Sequence, residues 1–127
     1  MNQTEPMVEG VDFVFLWTQD FERAARFYAG TLGLEQTADY RGHGGEFETD
    51  GFSISMLEAD KVGMEFAAAT TPIAFRVDDV AKRRAELESE GVEFAGDIVD
   101  SGVCHQAHFT DPDGNRLILH HRYAPKR

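Results

Sequence analysis

Side chains that could do acid–base or metal chemistry cluster near the end of this chain. The cluster consists of Cys104, His105, His108, His120 and His121. An imidazole titrates near neutral pH and can act as a general acid or base, and imidazole together with thiolate can bind a divalent metal. The spacing of these residues matches no familiar metal motif and defines no nucleophile with its base. They are candidates for chemistry without an assigned role.

Two predicted strands joined by a tight turn must position this cluster. Residues 104–110 and 116–123 have the composition of strands. The sequence Asp111-Pro112-Asp113-Gly114 between them predicts a turn, because proline presets φ and glycine accepts positive φ. Side chains alternate along a strand, so Cys104, Gln106 and His108 are expected to share one face.

The same strand–turn–strand pattern occurs earlier, around Asp50 and Gly51, which suggests a duplication. Each hairpin follows a strand, a helix and a second strand. Asp20 is the predicted N-cap of the first helix, and Asp78 or Asp79 that of the second. The order is therefore βαβββ twice, and residues 42–45 are predicted to be a loop.

The predicted fold class is α+β, with two βαβββ modules forming an open, cupped mixed sheet around a concave ligand cavity. A single domain is expected over residues 11–123. Its modules cover residues 11–59 and 72–123, and residues 60–71 connect them. Residues 1–10 are expected to be a flexible leader and residues 124–127 a tail.

The chain is acidic, with a formal net charge of −11 from 23 acidic and 12 basic residues. Binding to phosphate needs a basic face, so the charge argues against nucleic acid and anionic membranes as partners. It would favour a cationic ligand, although a role in solubility alone is the more common reason for such a charge. No apolar run reaches the length of about 18 residues that a membrane helix needs. The first ten residues lack the pattern of a signal peptide, so we expect a cytoplasmic protein.

The chain resembles the vicinal oxygen chelate superfamily, which includes glyoxalase I, extradiol dioxygenases, fosfomycin-resistance transferases and bleomycin-resistance proteins. The resemblance implies paired βαβββ modules, a small-molecule ligand and a homodimer. The matching segments are Asp20-Phe21-Glu22-Arg23-Ala24, Phe27-Tyr28 and Leu32-Gly33-Leu34 in the first half, and Ala74-Phe75-Arg76-Val77-Asp78-Asp79-Val80, Glu90-Gly91-Val92 and Phe109-Thr110-Asp111-Pro112-Asp113-Gly114-Asn115 in the second.

Metal-dependent members of that superfamily bind their metal at three places, which the resemblance carries to Phe13, Pro72 and Ile118. None of these side chains has a nitrogen, oxygen or sulfur donor for a divalent cation. We therefore predict no metal and no cofactor, as in the metal-free bleomycin-resistance group. A nonstandard metal site around Cys104, His108 and His120 is the alternative.

The resemblance also assigns the wall of the cavity. The predicted ligand-binding residues are Phe13, Phe15, Trp17, Ser55, His108, Ile118 and His120. Aromatic side chains with a few neutral polar groups suit a flat aromatic molecule, through stacking and apolar burial. The alternative is that Phe13 and Phe15 are core residues under the helices.

Three functions compete. The first, which we favour, is a metal-free binding protein that sequesters an aromatic or cationic natural product or drug. The second is a metal-free enzyme with His108 or His120 as general acid–base, with or without Cys104. The third is a metal-dependent lyase, isomerase or dioxygenase.

Overall fold

A computed structural model describes residues 5–126, so residues 1–4 of the predicted leader and Arg127 of the predicted tail lie outside the described part. The first module consists of β1 (Phe13–Thr18), α1 (Phe21–Ala25, continuing as a π-helix over Arg26–Thr31), β2 (Glu35–Asp39), β3 (Gly44–Thr49) and β4 (Phe52–Glu58). A 3₁₀ helix, Ala59–Val62, begins the connector. The second module consists of β5 (Ile73–Arg76), α2 (Val80–Ser89), β6 (Phe94–Asp100), β7 (Cys104–Thr110) and β8 (Arg116–Arg122).

The predicted fold class is confirmed: the chain is a mixed α+β protein with two βαβββ modules. The first sheet has the strand order β1-β4-β3-β2 and the second has the order β5-β8-β7-β6. β1 and β5 each pair in parallel with the last strand of their module, and the other pairs are antiparallel. The two four-stranded sheets stay open. Within residues 5–126, no helix is long and apolar enough to span a membrane.

Aspartate caps start both main helices. The Asp20 carboxylate accepts a hydrogen bond from the Arg23 backbone N–H at 3.1 Å, and Asp79 accepts from the Lys82 N–H at 3.0 Å. An N-cap carboxylate satisfies one of the free N–H groups of the first turn. The alternative cap Asp78 instead binds the Arg83 guanidinium at 2.9 Å. The second cap is therefore Asp79.

The core lies between each sheet and its helix, where the covered faces of the strands pack against the helix. The π-helical turn at the end of α1 buries two adjacent aromatics, Phe27 and Tyr28. Tyr28 stacks on Phe47 of β3 with ring centroids 5.5 Å apart. The buried core residues include Leu16, Phe21, Tyr28, Phe47, Ile54 and Met56 in the first module, and Val80, Leu87, Ala107, Phe109, Leu117 and Leu119 in the second.

The loop predicted over residues 42–45 is wrong for its second half, since Gly44 and Gly45 begin β3 and are buried. A Cβ on Gly44 would lie 2.5 Å from the Leu57 side chain, and one on Gly45 would lie 2.3 Å from the Ala38 carbonyl oxygen. Glycine is required here by the close approach of neighbouring strands, not by a turn.

Candidate ligand-binding faces

The open face of the first sheet is aromatic. The ladder between β1 and β4 sets Phe13 beside Ser53, Phe15 beside Ser55 and Trp17 beside Leu57. Phe13 is 53% exposed and Phe15 is 37% exposed. Their neighbours along the strand, Leu16 and Thr18, are buried on the side of α1. The alternative that Phe13 and Phe15 are core residues under the helix is therefore wrong.

Trp17 continues this aromatic row. Its ring meets that of Phe15 edge to face, with centroids 4.7 Å apart and an interplanar angle of 86°. This is one of the favoured geometries for an aromatic pair, and it fixes the direction of both rings. The row provides a nearly continuous apolar surface on which a flat molecule can lie.

Carboxylates border the aromatic row on the same face. In the ladder between β3 and β4, Glu46 is opposite Ser55 and Glu48 is opposite Ser53. The Ser53 hydroxyl donates to Glu48 at 3.2 Å, and the Tyr40 hydroxyl donates to Glu46. The hydrogen bond to Glu46 raises the pKa of Tyr40 above its usual value. This face therefore combines aromatic rings, serine hydroxyls and negative charge.

The open face of the second sheet has a different character. His108 is opposite Ile118, which is beside Ala74. In the next row Gln106 is opposite His120, which is beside Arg76. The predicted ligand-binding residues are thus divided: Phe13, Phe15, Trp17 and Ser55 lie on the first sheet, and His108, Ile118 and His120 lie on the second.

The candidate catalytic residues on this second face form a row and not a cluster. Gln106 stands between Cys104 and His108 on β7, where its side-chain oxygen lies 3.2 Å from His108 Nε2 and its amide donates to Cys104 Sγ at 3.8 Å. Cys104 is buried. Among residues 5–126, no three His, Cys, Asp or Glu side chains are grouped closely enough to hold a metal.

Phe13, Pro72 and Ile118, where the resemblance implied the metal ligands of other members, lie on or next to the strands β1, β5 and β8. Phe13 begins β1, Pro72 immediately precedes β5, and Ile118 lies inside β8. Their side chains are hydrocarbon, so they do not fit a divalent cation.

A buried polar network, which the sequence did not reveal, joins the two modules at the turn between β7 and β8. The Asp113 carboxylate accepts hydrogen bonds from the Thr18 hydroxyl at 2.5 Å, the Gln19 N–H at 2.9 Å and the Arg23 guanidinium at 2.9 Å. The Asn115 amide donates to the Trp17 carbonyl at 3.3 Å. The turn of the second module therefore holds the end of β1, from which Trp17 extends.

Asp111 is the second buried carboxylate of this network. It accepts hydrogen bonds from the Tyr28 hydroxyl at 2.6 Å and from the Asn115 amide at 2.8 Å. Burial, and then the negative charge of Asp111, raises the pKa of Tyr28 well above its usual value. The only sequence signal for this network was an excess of acidic and amide residues in a turn that needs only proline and glycine.

The structure contains a cavity of about 790 Å³ at another place, between the two modules. None of the seven predicted ligand-binding residues lines it, whereas Pro72 and Ala74 do. His108 instead borders a shallower groove beside β6.

Paired βαβββ modules with open sheets define the two-module glyoxalase fold. Residues 10–119 match the model of the Glyoxalase/Bleomycin resistance protein/Dioxygenase superfamily, so the chain belongs to this superfamily. A search of curated proteins gives no match.

Solved structures share the fold over nearly the whole chain. A glyoxalase family protein from Bacillus anthracis is 22% identical, with a TM-score of 0.77, and the match covers 94% of this chain and 99% of that one. TnmS3, an antibiotic binding protein from Streptomyces sp. CB03234, is 25% identical, with a TM-score of 0.75 and coverage of 93% and 99%. A lactoylglutathione lyase from Agrobacterium tumefaciens is 16% identical, with a TM-score of 0.75 and coverage of 91% and 95%.

Proposed function

We propose that this protein binds and sequesters a cationic aromatic natural product or drug without a metal or another cofactor. The observation that carries the proposal is the row of Phe13, Phe15 and Trp17 on an open sheet face. Large aromatic side chains left exposed side by side are typical of a ligand or partner surface, because burying them releases water from apolar area.

The negative charge of this face favours an aromatic ligand that is a cation. The residues that share this face on β3, Glu46 and Glu48, are acidic, and the residues on β1 and β4 are neutral. A protonated amine beside these carboxylates would also attract the faces of the aromatic rings. The similarity to TnmS3, an antibiotic binding protein, supports a small-molecule ligand.

A homodimer is part of this proposal. The open face of the second module carries His108, His120 and Arg122 and has no carboxylate at the paired positions of β5, β7 and β8, so it suits the acidic first face. The second module of a partner copy would then cover the aromatic row and bring His108, Ile118 and His120 to the ligand. Sedimentation velocity tests this arrangement: a monomer at all concentrations would contradict it. A cytoplasmic location, where the thiol of Cys104 stays reduced, completes the proposal.

The enzymatic alternative has one supporting observation, the contact between Gln106 and His108 that orients the imidazole. It predicts that His108→Ala abolishes turnover of a substrate without affecting folding.

A nonstandard metal site predicts about one retained metal ion per chain after exposure to Zn²⁺, Mn²⁺, Fe²⁺ and Ni²⁺ and desalting. Mass spectrometry of the intact protein measures this directly.

Trp17 makes the binding proposal testable, because it is the single tryptophan of the chain. A panel of aromatic natural products, each with and without a basic amine, is titrated while the Trp17 emission is followed. We expect saturable quenching that is stronger for the amines. Quenching by no compound, or equal quenching in a variant with Phe13 and Phe15 both replaced by Ala, would refute the proposed face.

A further inference from the structure

The cavity between the modules lies at the edge strands β1 and β5. Most of its apolar lining comes from the helix side of both sheets, and Glu48, Ala74 and Arg76 reach it from the open faces. Its apolar lining comes from both halves of the chain and includes Val14, Leu34, Phe52, Phe75, Leu87 and Leu119. Its volume of about 790 Å³ is that of a site for a small molecule. The cavity opens to solvent on one side, where exposed residues such as Asp50, Pro72 and Glu90 line it.

The internal duplication shows which residues of the other module occupy the positions equivalent to the lining of this cavity. Aligning the helix caps Asp20 and Asp79 pairs Tyr28 with Leu87 and Thr18 with Val77. Aligning the turn glycines Gly51 and Gly114 pairs Asn115 with Phe52 and Asp113 with Asp50. The cavity is therefore the counterpart of the buried polar network that joins the modules on the other side.

The two counterparts differ in chemistry. On the network side, Tyr28, Thr18 and Asn115 meet buried carboxylates through hydrogen bonds. On the cavity side, Leu87, Val77 and Phe52 line open space, and no such bond can form. Among the described residues, one exposed pair, Arg76 and Asp50 with N···O 2.5 Å, bridges the modules there.

The mouth of the cavity has an excess of negative charge. Arg76 is matched by Asp50, and Arg83 is matched by Asp78 and Glu86. Two further carboxylates line the cavity, Glu48 and Glu90, and neither forms a salt bridge within residues 5–126. A cation at the mouth would be attracted, whereas an anion would be repelled.

We propose that this cavity is a second, separate binding site, for a compact apolar molecule that carries a protonated amine. The apolar body packs between Leu87, Phe75 and Phe52, where it replaces water against hydrocarbon. The ammonium group lies at the mouth beside Glu90. The site is separate from the aromatic row, because Phe13, Phe15 and Trp17 do not line the cavity.

The test uses two probes of equal shape and opposite charge, 1-naphthylmethylamine and 1-naphthylacetate. Each is added to protein with labelled leucine, valine and isoleucine methyl groups, and contacts are read by NMR. We expect the amine to give saturable shifts and intermolecular contacts at Leu87, Val77 and Ile73, with the acetate binding at least about tenfold more weakly.

Two variants locate the binding. Leu87→Trp fills the cavity and is expected to abolish these contacts. The variant Glu90→Gln lies at the surface, needs no repacking, and removes a carboxylate that belongs to the cavity alone, so it is expected to weaken amine binding about threefold. The matched control Glu65→Gln removes the same charge outside the cavity and leaves binding unchanged.

Three results would overturn this second site. They are equal affinity for the two probes, contacts confined to the methyl groups of the open faces, and an affinity unchanged in both the filled and the neutralised cavity. If Leu87→Trp does not fold, the neutralised variant and its control still decide the question.

Discussion

The two modules have the same backbone plan but present opposite chemistry at equivalent positions. On the open faces, Phe15 and Trp17 of β1 correspond to Ala74 and Arg76 of β5. In the ladders, Glu46 faces Ser55 in the first module, whereas His108 faces Ile118 in the second. The first module thus offers aromatic surface and negative charge, and the second offers small, imidazole and guanidinium groups. The duplicated fold sets the positions of the backbone, and ligand recognition depends on which side chains each module carries.

The junction shows the same divergence on the helix side of the sheets. The turn of the second module is fixed by a buried carboxylate network, while the equivalent turn of the first module borders a cavity. One side of the junction is therefore expected to carry most of the cohesion between the modules, and the other is free to accept a ligand. The following predictions test these contrasts.

The largest effect is expected from Asp113→Asn compared with Asp50→Asn, which change equivalent turn positions. The Asp113 side chain is fully buried in its pair with Arg23, whereas that of Asp50 is 77% exposed. Breaking a buried pair costs about 3 kcal/mol of unfolding free energy, and losing an exposed one costs less than about 1 kcal/mol. Urea unfolding measures both, and equal losses would show that the two sides of the junction are alike.

Phe15→Ala tests whether ligand binding depends on the open face of the first module and not on that of the second. It removes an aromatic surface and the edge-to-face support of Trp17, so the dissociation constant of an aromatic ligand should rise about 30-fold. Val99→Ala, at an apolar residue of the second module that is 49% exposed, should change it less than about twofold. Calorimetric titration compares them, and similar effects would remove the distinction between the faces.

Alkaline pH should weaken the junction through Tyr28, whose counterpart is Leu87. Burial raises the pKa of Tyr28 in the folded state, so the folded protein keeps the phenol proton longer than the unfolded chain. Stability from this group is complete below the unfolded pKa of about 10 and is lost as the pH rises above it. Urea unfolding between about pH 8 and about pH 11 should show this fall.

Tyr28→Phe should flatten that fall far more than Tyr40→Phe, because Tyr40 is exposed and solvent screens its hydrogen bond to Glu46. If the free energy of unfolding falls equally steeply with pH in Tyr28→Phe, the fall comes from another titrating group.

Glu46→Gln is expected to have the smallest effect. Removing one half-exposed carboxylate should weaken binding of a cationic aromatic ligand about threefold at low salt and less at high salt. A neutral analogue of the same shape should bind the variant as well as the wild type. Equal weakening for both ligands would mean that Glu46 acts through structure and not through charge.

Much of the fold could be predicted from local signals. The cap Asp20 and the turn at Gly114 act through their own neighbours, so the sequence predicted them. It left the second cap open between Asp78 and Asp79, and the structure identifies Asp79. Alternation along β1 likewise predicted that Phe13, Phe15 and Trp17 share a face. Gly44 and Gly45 were misread as a loop because their glycine requirement comes from strands distant in sequence.

The candidate sites were only partly predictable, because they depend on how the modules meet. The contacts of Asp113 with Thr18 and of Asp111 with Tyr28 span more than 80 residues. Nothing in a Pro-Asp-Gly turn reveals such partners. The cavity beside Leu87 is even less visible, since it arises where apolar residues replace a polar network and leave the space unfilled.

The central claim is that the aromatic face of the first module binds its ligand without a metal. The direct test is to dialyse the protein against EDTA and titrate it with an amine-bearing aromatic ligand, following Trp17, with and without added Zn²⁺, Mn²⁺, Fe²⁺ or Ni²⁺. We predict the same dissociation constant in all samples and recovery of the ligand unchanged. Binding that appears only with a metal, or conversion of the ligand to a product, would contradict the account.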